Sequence, residues 1–389
     1  MNIFCAADLL IPKQEDLDRW AVIACDQFTA DHDYWNRVAA YVGDRTSSLN
    51  LILPEAWLTG DDENQIRNIN DTMTRYLQED IFDLYSGSYI YIERTMASGR
   101  IRRGILGAVD LDQYDFDPDH KAAIRATEQT VRDRLPPRMR TRRGAALELS
   151  HTLMLCDDRD ALLLDPVSGR KDTLPKLYDI QLMEDGGNLR GWLVQGNDAA
   201  AFDECFARYA ANCPDMILAV GDGNHSLAAA KECYEELKRN HPGVDLSDHP
   251  ARYALVELVN IHDEAVEFLP IHRALVHTDP EAFTFALKEA DPQMSVDQGV
   301  IHTSLDIFAL QEFLDRWVSA HPCVAEYPHE VEEVRDLAAL ADGVGILVPP
   351  FEKKDLFPKL EIHGLLPRKA FSIGRARDKR YYLEGRSIR

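Results

Sequence analysis

The chain lacks every common phosphate and hydrolase signature. Its 389 residues contain no GxxxxGK[ST] loop, no HRD-to-DFG pair, no HExxH, no GxSxG and no GxGxxG, which removes the familiar nucleotide, zinc-protease and α/β-hydrolase scaffolds. The seven cysteines are an odd number and form no CxxC pair, so neither a disulfide framework nor a zinc knuckle is expected. No apolar run approaches the roughly 20 residues of a membrane span, and the first residues carry no charged-then-apolar leader pattern. Basic residues are scarce, with 43 Lys and Arg against 66 Asp and Glu and a net charge of −23. Such a surface repels phosphodiester backbones and anionic lipid, so neither nucleic acid nor membrane is the expected partner. A cytoplasmic protein whose ligand is a small molecule is the expectation. With 45% hydrophobic residues the chain buries a substantial core, and its length favours two lobes or one large α/β domain.

The apolar pattern supports strands at Trp20–Cys25, 88–94, 103–109, 149–155, 161–164, 178–183, 191–194, 216–220 and 253–259. Helices are expected after Thr29 as a cap, with Tyr34, Trp35, Val38 and Tyr41 on one face, and over 64–81, 199–211 and 225–239. The stretch 276–342 reads as largely helical and acidic, and short strands return at 345–348, 370–373 and 381–383. A core over 1–275 and a helical lobe with returning strands over 276–389 follow from this. The fold class is α/β with a mixed (α+β) sheet, because buried strands alternate with amphipathic helices.

The sharpest local signal is Val220-Gly221-Asp222-Gly223-Asn224-His225-Ser226, at the passage from a buried strand to a helix. Two glycines permit a tight turn and close approach of a ligand. The amides and dipole of a helix start attract an anion. Asp222 has the chemistry to hold a metal or accept a proton, and His225 and Ser226 to donate to a phosphate or carboxylate. A plain turn capped by Asn224 explains the glycines equally well. Six arginines crowd Arg132–Arg143; a phosphate cradle is one reading, and a solvated loop neutralised by the protein's own acids is the favoured one. His272-Arg273 and Asp26 each follow a strand, where ligand contacts gather, or serve as ordinary surface polar groups.

Taken in order, these segments resemble a domain family of unknown function (DUF1015), related to free serine kinases of the ParB/sulfiredoxin superfamily. The likeness is carried by Ala24-Cys25-Asp26-Gln27-Phe28, Arg94-Thr95, Gly104-Ile105-Leu106-Gly107 and Ile124 to Thr130 with Asp133-Arg134. Asp222 to Ser226, Leu269-Pro270-Ile271-His272-Arg273 and Pro367-Arg368-Lys369 complete it. Where the family's hallmark turn reads Asp-Gly-His-His-Arg, this chain carries Asn224 for the first His and Ser226 for the Arg. Thr127 likewise stands where the family has His.

The resemblance implies a ParB/sulfiredoxin-like core elaborated with further strands and an acidic helical C-terminal lobe. It also implies nucleotide-dependent phosphoryl transfer, with ADP or ATP and Mg²⁺, to free serine or another hydroxylated metabolite. In that scheme Asp26, or else Glu128, accepts the hydroxyl proton, His225 donates to the transferring group, and Asp222 binds Mg²⁺. Gly221, Gly223, Asn224, Ser226, Arg125, Arg134, His272, Arg273 and Lys369 hold the nucleotide phosphates. A nucleotide-binding switch without fast chemistry, or a scaffold that docks through the acidic helices, are the alternatives.

Overall fold

The computed structural model describes residues 3–130, 132 and 135–389. Arg134, expected to contact phosphate, lies outside the described residues, as does Asp133. The chain divides into two units, residues 1–266 with 375–389, and residues 267–374. The division thus falls at 266/267 rather than 275/276, and the last fifteen residues belong to the first unit.

The first unit is built on one mixed sheet. Its path runs Tyr114–Asp115, Ile124–Arg125, Leu218–Asp222, Thr152–Cys156, Tyr253–Asn260, Ile101–Asp110, Phe82–Thr95, Ala7–Pro12, Gly385–Ser387 and Leu147–Leu149. Leu218–Asp222 runs parallel to Ile124–Arg125 and antiparallel to Thr152–Cys156, which is itself parallel to Tyr253–Asn260. The central strands are continuous apolar runs because both their faces are covered: Leu153, Met154, Leu155, Leu218, Val220, Val256 and Leu258 have no exposed surface. On one face the core gathers Trp20, Trp35, Tyr76, Ile90 and Leu106, each contributing about 1.5–3 kcal/mol by leaving water.

Several local expectations change. Trp20–Cys25 is not one strand: a short helix, Leu17–Trp20, precedes the two-residue strand Val22–Ile23. Trp20 is instead fixed by its indole N–H donating to the Leu383 carbonyl at 3.0 Å. The helix after it spans His32–Val42 and is capped by Asp31, which accepts from the Tyr34 amide at 2.9 Å, not by Thr29. Its buried face is Tyr34, Trp35, Val38 and Val42, while Tyr41 is exposed. Residues 161–164 form no strand, since the Asp158 carboxylate accepts from the Leu162 and Leu163 amides and turns the chain into the helix Leu164–Ser168. The expected strand 149–155 is broken in two, Leu147–Leu149 and Thr152–Cys156, and the halves occupy distant places in the sheet.

The second unit is not chiefly helical. A five-stranded sheet, in the order Ser295–Asp297, Val300–His302, Val344–Leu347, Arg273–Val276 and Val324–Glu326, carries the helices Pro280–Ala290, Ile307–Ala320 and Val331–Ala338. Asp279 and Asp306 cap the first two by accepting from their first-turn amides, as short acidic caps do. The sheet was hidden from the apolar pattern because its outer strands are three residues each, with exposed positions.

Candidate functional site

The glycine segment sits where the apolar pattern placed it, at the C-terminal end of the strand Leu218–Asp222 and at the head of the helix Asn224–Asn240. Each glycine has its own reason. Gly221 fills a bulge, the point where pairing with Thr152–Cys156 slips between Val220 and Asp222. Gly223 holds φ at 86°, and a Cβ there would stand 2.8 Å from Thr152 Oγ1, so the position demands both a left-handed backbone and a missing side chain.

Asn224 is the first helical residue rather than the cap, and it is buried. Its Oδ1 accepts the Thr127 N–H and its Nδ2 donates to Thr127 Oγ1, both at 3.2 Å. The Thr127 hydroxyl in turn donates to the Val220 carbonyl at 2.7 Å. Asp222 faces inward: Oδ1 accepts the Gly223 N–H at 3.0 Å and Oδ2 is ion-paired with Lys379 at 3.2 Å. In this arrangement Lys379 supplies the countercharge that a Mg²⁺ ion would bring to the carboxylate. Among the described residues no group of three or more His, Cys, Asp or Glu side chains is placed to hold a metal. No chemical step is therefore assigned to a metal here.

Two of the expected site residues meet in one cavity of about 210 Å³ within the first unit. Asp26 and Ser226 both line it, together with Arg138, Arg140 and Arg142 and apolar residues that include Leu51, Leu149 and Leu227. From Leu135 onward the arginine-rich stretch is a helix, Leu135–Gly144, rather than a loop. Its charges are largely met by the protein's own acids: Arg138 pairs with Glu55, Arg142 with Glu148 at 2.6 Å, and Arg143 with Glu236 at 2.9 Å. Since Asp26, Glu55, Asp62 and Glu148 share the lining with those arginines, the cavity is of mixed charge, not electropositive as the arginine count alone suggests. Glu148 shows the balance: burial raises its carboxyl, but Arg142 and Arg386 outweigh burial and hold it below the usual range.

The remaining expected residues are placed as follows. Asp26 is half-buried and accepts from the Gln27 side chain at 3.1 Å. Glu128 follows Thr127 directly and is half-buried; neither it nor His225 lines the cavity. Arg125 is buried beside Ala219, with Nε donating to the Ala122 carbonyl at 3.0 Å. His272, Arg273 and Lys369 belong to the second unit. His272 accepts the Val348 N–H through Nδ1 at 3.1 Å, and burial and the neighbouring Arg273 lower its pKa. Arg273 spends its donors on the carbonyls of Ile271, His272 and Arg368 and on Gln311. That is the pattern of a buried structural arginine.

Two cavity residues, His151 and Tyr382, escaped the sequence reading. His151 occupies the break between the two half-strands, and its Nε2 lies 2.8 Å from Ser226 Oγ. Tyr382 packs its ring 5.3 Å from the His151 ring and donates to Cys25 Sγ at 3.2 Å. Burial, aided by the Asp26 carboxylate, pushes the Cys25 thiol up to about 12, which leaves it an inert neutral group. No local motif marks these residues, since their meeting depends on a strand break and on the C-terminal return.

Fold and site together define a mixed α/β protein with a small cavity at a strand–glycine–helix junction. The chain belongs to the family described as Protein of unknown function (DUF1015), which matches residues 6–335. No curated protein matches it. Among solved structures it is similar to a conserved hypothetical protein from Pyrococcus furiosus, with 12% identity, a TM-score of 0.33, and 71% of this chain and 90% of that chain covered. A free serine kinase in complex with AMP gives 12% identity, a TM-score of 0.36 and the same coverage, 71% and 90%. A mutant free serine kinase in complex with ADP gives 11%, 0.37, 73% and 92%. At such scores the likeness carries no argument about function. Among the described residues no helix is long and apolar enough to cross a membrane.

Proposed function

We propose that this protein binds a nucleotide through its phosphates at the Gly223–Ser226 helix start and transfers a phosphoryl group to a small hydroxylated metabolite, free serine or a relative of it. The observation that carries this reading is the opening of the Ser226 helix start and the Asp26 carboxylate onto one cavity. The first-turn amides and the helix dipole supply the anion site, and the Ser226 hydroxyl and Arg140 add donors. A cavity of about 210 Å³ suits the metabolite rather than a whole nucleotide, which enters by its phosphate end. Asp26 is the proton acceptor for the metabolite hydroxyl, and Glu128, beside Thr127, is the second choice. The strand–glycine–helix junction is in keeping with a ParB/sulfiredoxin-like core. Calorimetric titration of the full chain with AMP, ADP and ATP tests the binding half, and release of ADP or AMP in the presence of L-serine and other hydroxylated metabolites tests the transfer. If no nucleotide binds at millimolar concentration, the reading is wrong.

A further inference from the structure

We propose that Ser226 and His151 form a nucleophile–base pair that cleaves small apolar esters in this cavity, an activity separate from nucleotide binding. The imidazole is polarised by its partners. Its Nδ1 lies 3.3 Å from the Leu149 carbonyl, and a carbonyl only accepts, so Nδ1 carries the proton. Nε2 is then the lone-pair nitrogen, and the Ser226 hydroxyl donates to it across 2.8 Å. This is the arrangement that activates a serine: nucleophile bonded to base, base oriented by a third group. Here the third group is a backbone carbonyl rather than a carboxylate; it sets the tautomer and the ring angle. The ring of Tyr382, itself tethered to Cys25, packs against the imidazole and limits its rotation.

The apolar part of the lining suits a small acyl ester. Leu51, Leu53, Leu149, Leu227 and Ile388 line the same cavity, while two of its three arginines, Arg138 and Arg142, are paired with Glu55 and Glu148. Ser226 is the third residue of its helix, so its own amide has no intrahelical carbonyl and lies at the positive end of the dipole. That amide is placed to stabilise the oxyanion. In the reaction Ser226 Oγ bonds to the ester carbonyl carbon as its proton passes to His151 Nε2. The C–O bond to the alcohol then breaks, and His151 returns the proton to the departing oxygen. Water, deprotonated by the same nitrogen, attacks the acyl-serine, releases the carboxylic acid and restores Ser226.

The test uses p-nitrophenyl butyrate as substrate and phenylmethylsulfonyl fluoride as covalent probe on the full-length protein. The expected result is p-nitrophenolate release above the buffer rate, loss of that rate on sulfonylation, and the sulfonyl group mapped by peptide mass spectrometry to Ser226. Ser226→Ala and His151→Gln should each lower the rate by about a hundredfold or more, with folding checked by circular dichroism. A label at another residue, no label, or an undiminished rate in folded Ser226→Ala overturns the proposal. The mapping needs only wild-type protein, so it decides the matter even where a variant misfolds. Nucleotide titration is read separately, so failure here leaves the phosphotransfer reading untouched.

Discussion

Asn224 and Thr127 hold each other: the Asn224 side-chain oxygen accepts the Thr127 amide and its nitrogen donates to the Thr127 hydroxyl, both at 3.2 Å. These are two positions at which the resemblance led to an expectation of histidine, and the residues found there are in contact. The pair ties the segment after Ile124–Arg125 to the helix start, and through the Thr127–Val220 bond to the end of the central strand. Ser226, the third departure, is bonded to His151. The altered turn is therefore internally satisfied rather than a site with pieces missing.

The coupling can be measured. Asn224→Ala leaves the buried Thr127 amide without its acceptor and should cost about 1–3 kcal/mol in urea unfolding. Thr127→Val should cost a similar amount, and the double variant less than the sum, because the second change removes a partner already lost. Strict additivity would show that the two side chains act independently.

Gly223 offers a sharper steric test, with Gly99 as control. Both have positive φ, 86° and 81°, but a Cβ at Gly99 meets nothing within 4 Å whereas one at Gly223 meets Thr152 Oγ1 at 2.8 Å. Gly99→Ala carries only the left-handed backbone cost, about 1–2 kcal/mol. Gly223→Ala should lose about 1–3 kcal/mol more from overpacking, as read from denaturation midpoints. Equal losses would mean that Thr152 moves aside freely.

Much of this was legible in the residues. The run Met216 to Val220 ahead of Gly221 marks the buried strand, and Leu227, Ala230 and Tyr234 mark the helix face, so the junction follows from apolar spacing alone. Asp26 was expected at the end of a strand Trp20–Cys25, but the strand is only Val22–Ile23 and Asp26 lies in the turn beyond it. His151 was not legible. The run Leu149 to Leu155 is apolar except around Ser150-His151-Thr152, and nothing local says that the chain changes place in the sheet there. The fate of Asp222 was equally hidden, since Lys379 comes from 157 positions later. Long-range ion pairs leave no periodic trace.

The Asp222–Lys379 pair reverses the expected effect of removing the carboxylate. Were Asp222 a magnesium ligand, its loss would weaken nucleotide binding only when the metal is present. As the partner of Lys379 it instead neutralises a cation at the helix start. Asp222→Asn should raise affinity for phosphate or ADP about fivefold, corresponding to about 1 kcal/mol at partly solvated separations. The gain should be the same with and without Mg²⁺ and shrink as salt rises. A magnesium-dependent loss in calorimetric titration would restore the metal role.

The last prediction concerns acid. Glu257 is fully buried between Arg102, at 3.5 Å, and Arg380, at 3.1 Å, and Arg380 also pairs with Glu384. Burial alone would raise the Glu257 carboxyl, but Arg102 and Arg380, with Arg94 beyond them, outweigh it and hold the group below its usual range. A carboxylate with a depressed folded-state pKa contributes stability that is fully present above its unfolded value, about 4.3. That contribution is lost as pH falls from there through the lower folded value. Unfolding free energy should thus be insensitive to Glu257 at neutral pH and drop steeply below about pH 4. Glu257→Gln removes the carboxylate that faces buried Arg102 and leaves Arg380 with Glu384 alone, and should cost about 3–5 kcal/mol at pH 7. The same variant should flatten the acid limb, because the proton that the native wild type resists has no site to occupy. Urea midpoints from pH 3 to 7 read both effects, and an unchanged acid slope in Glu257→Gln would mean that other carboxylates control acid unfolding.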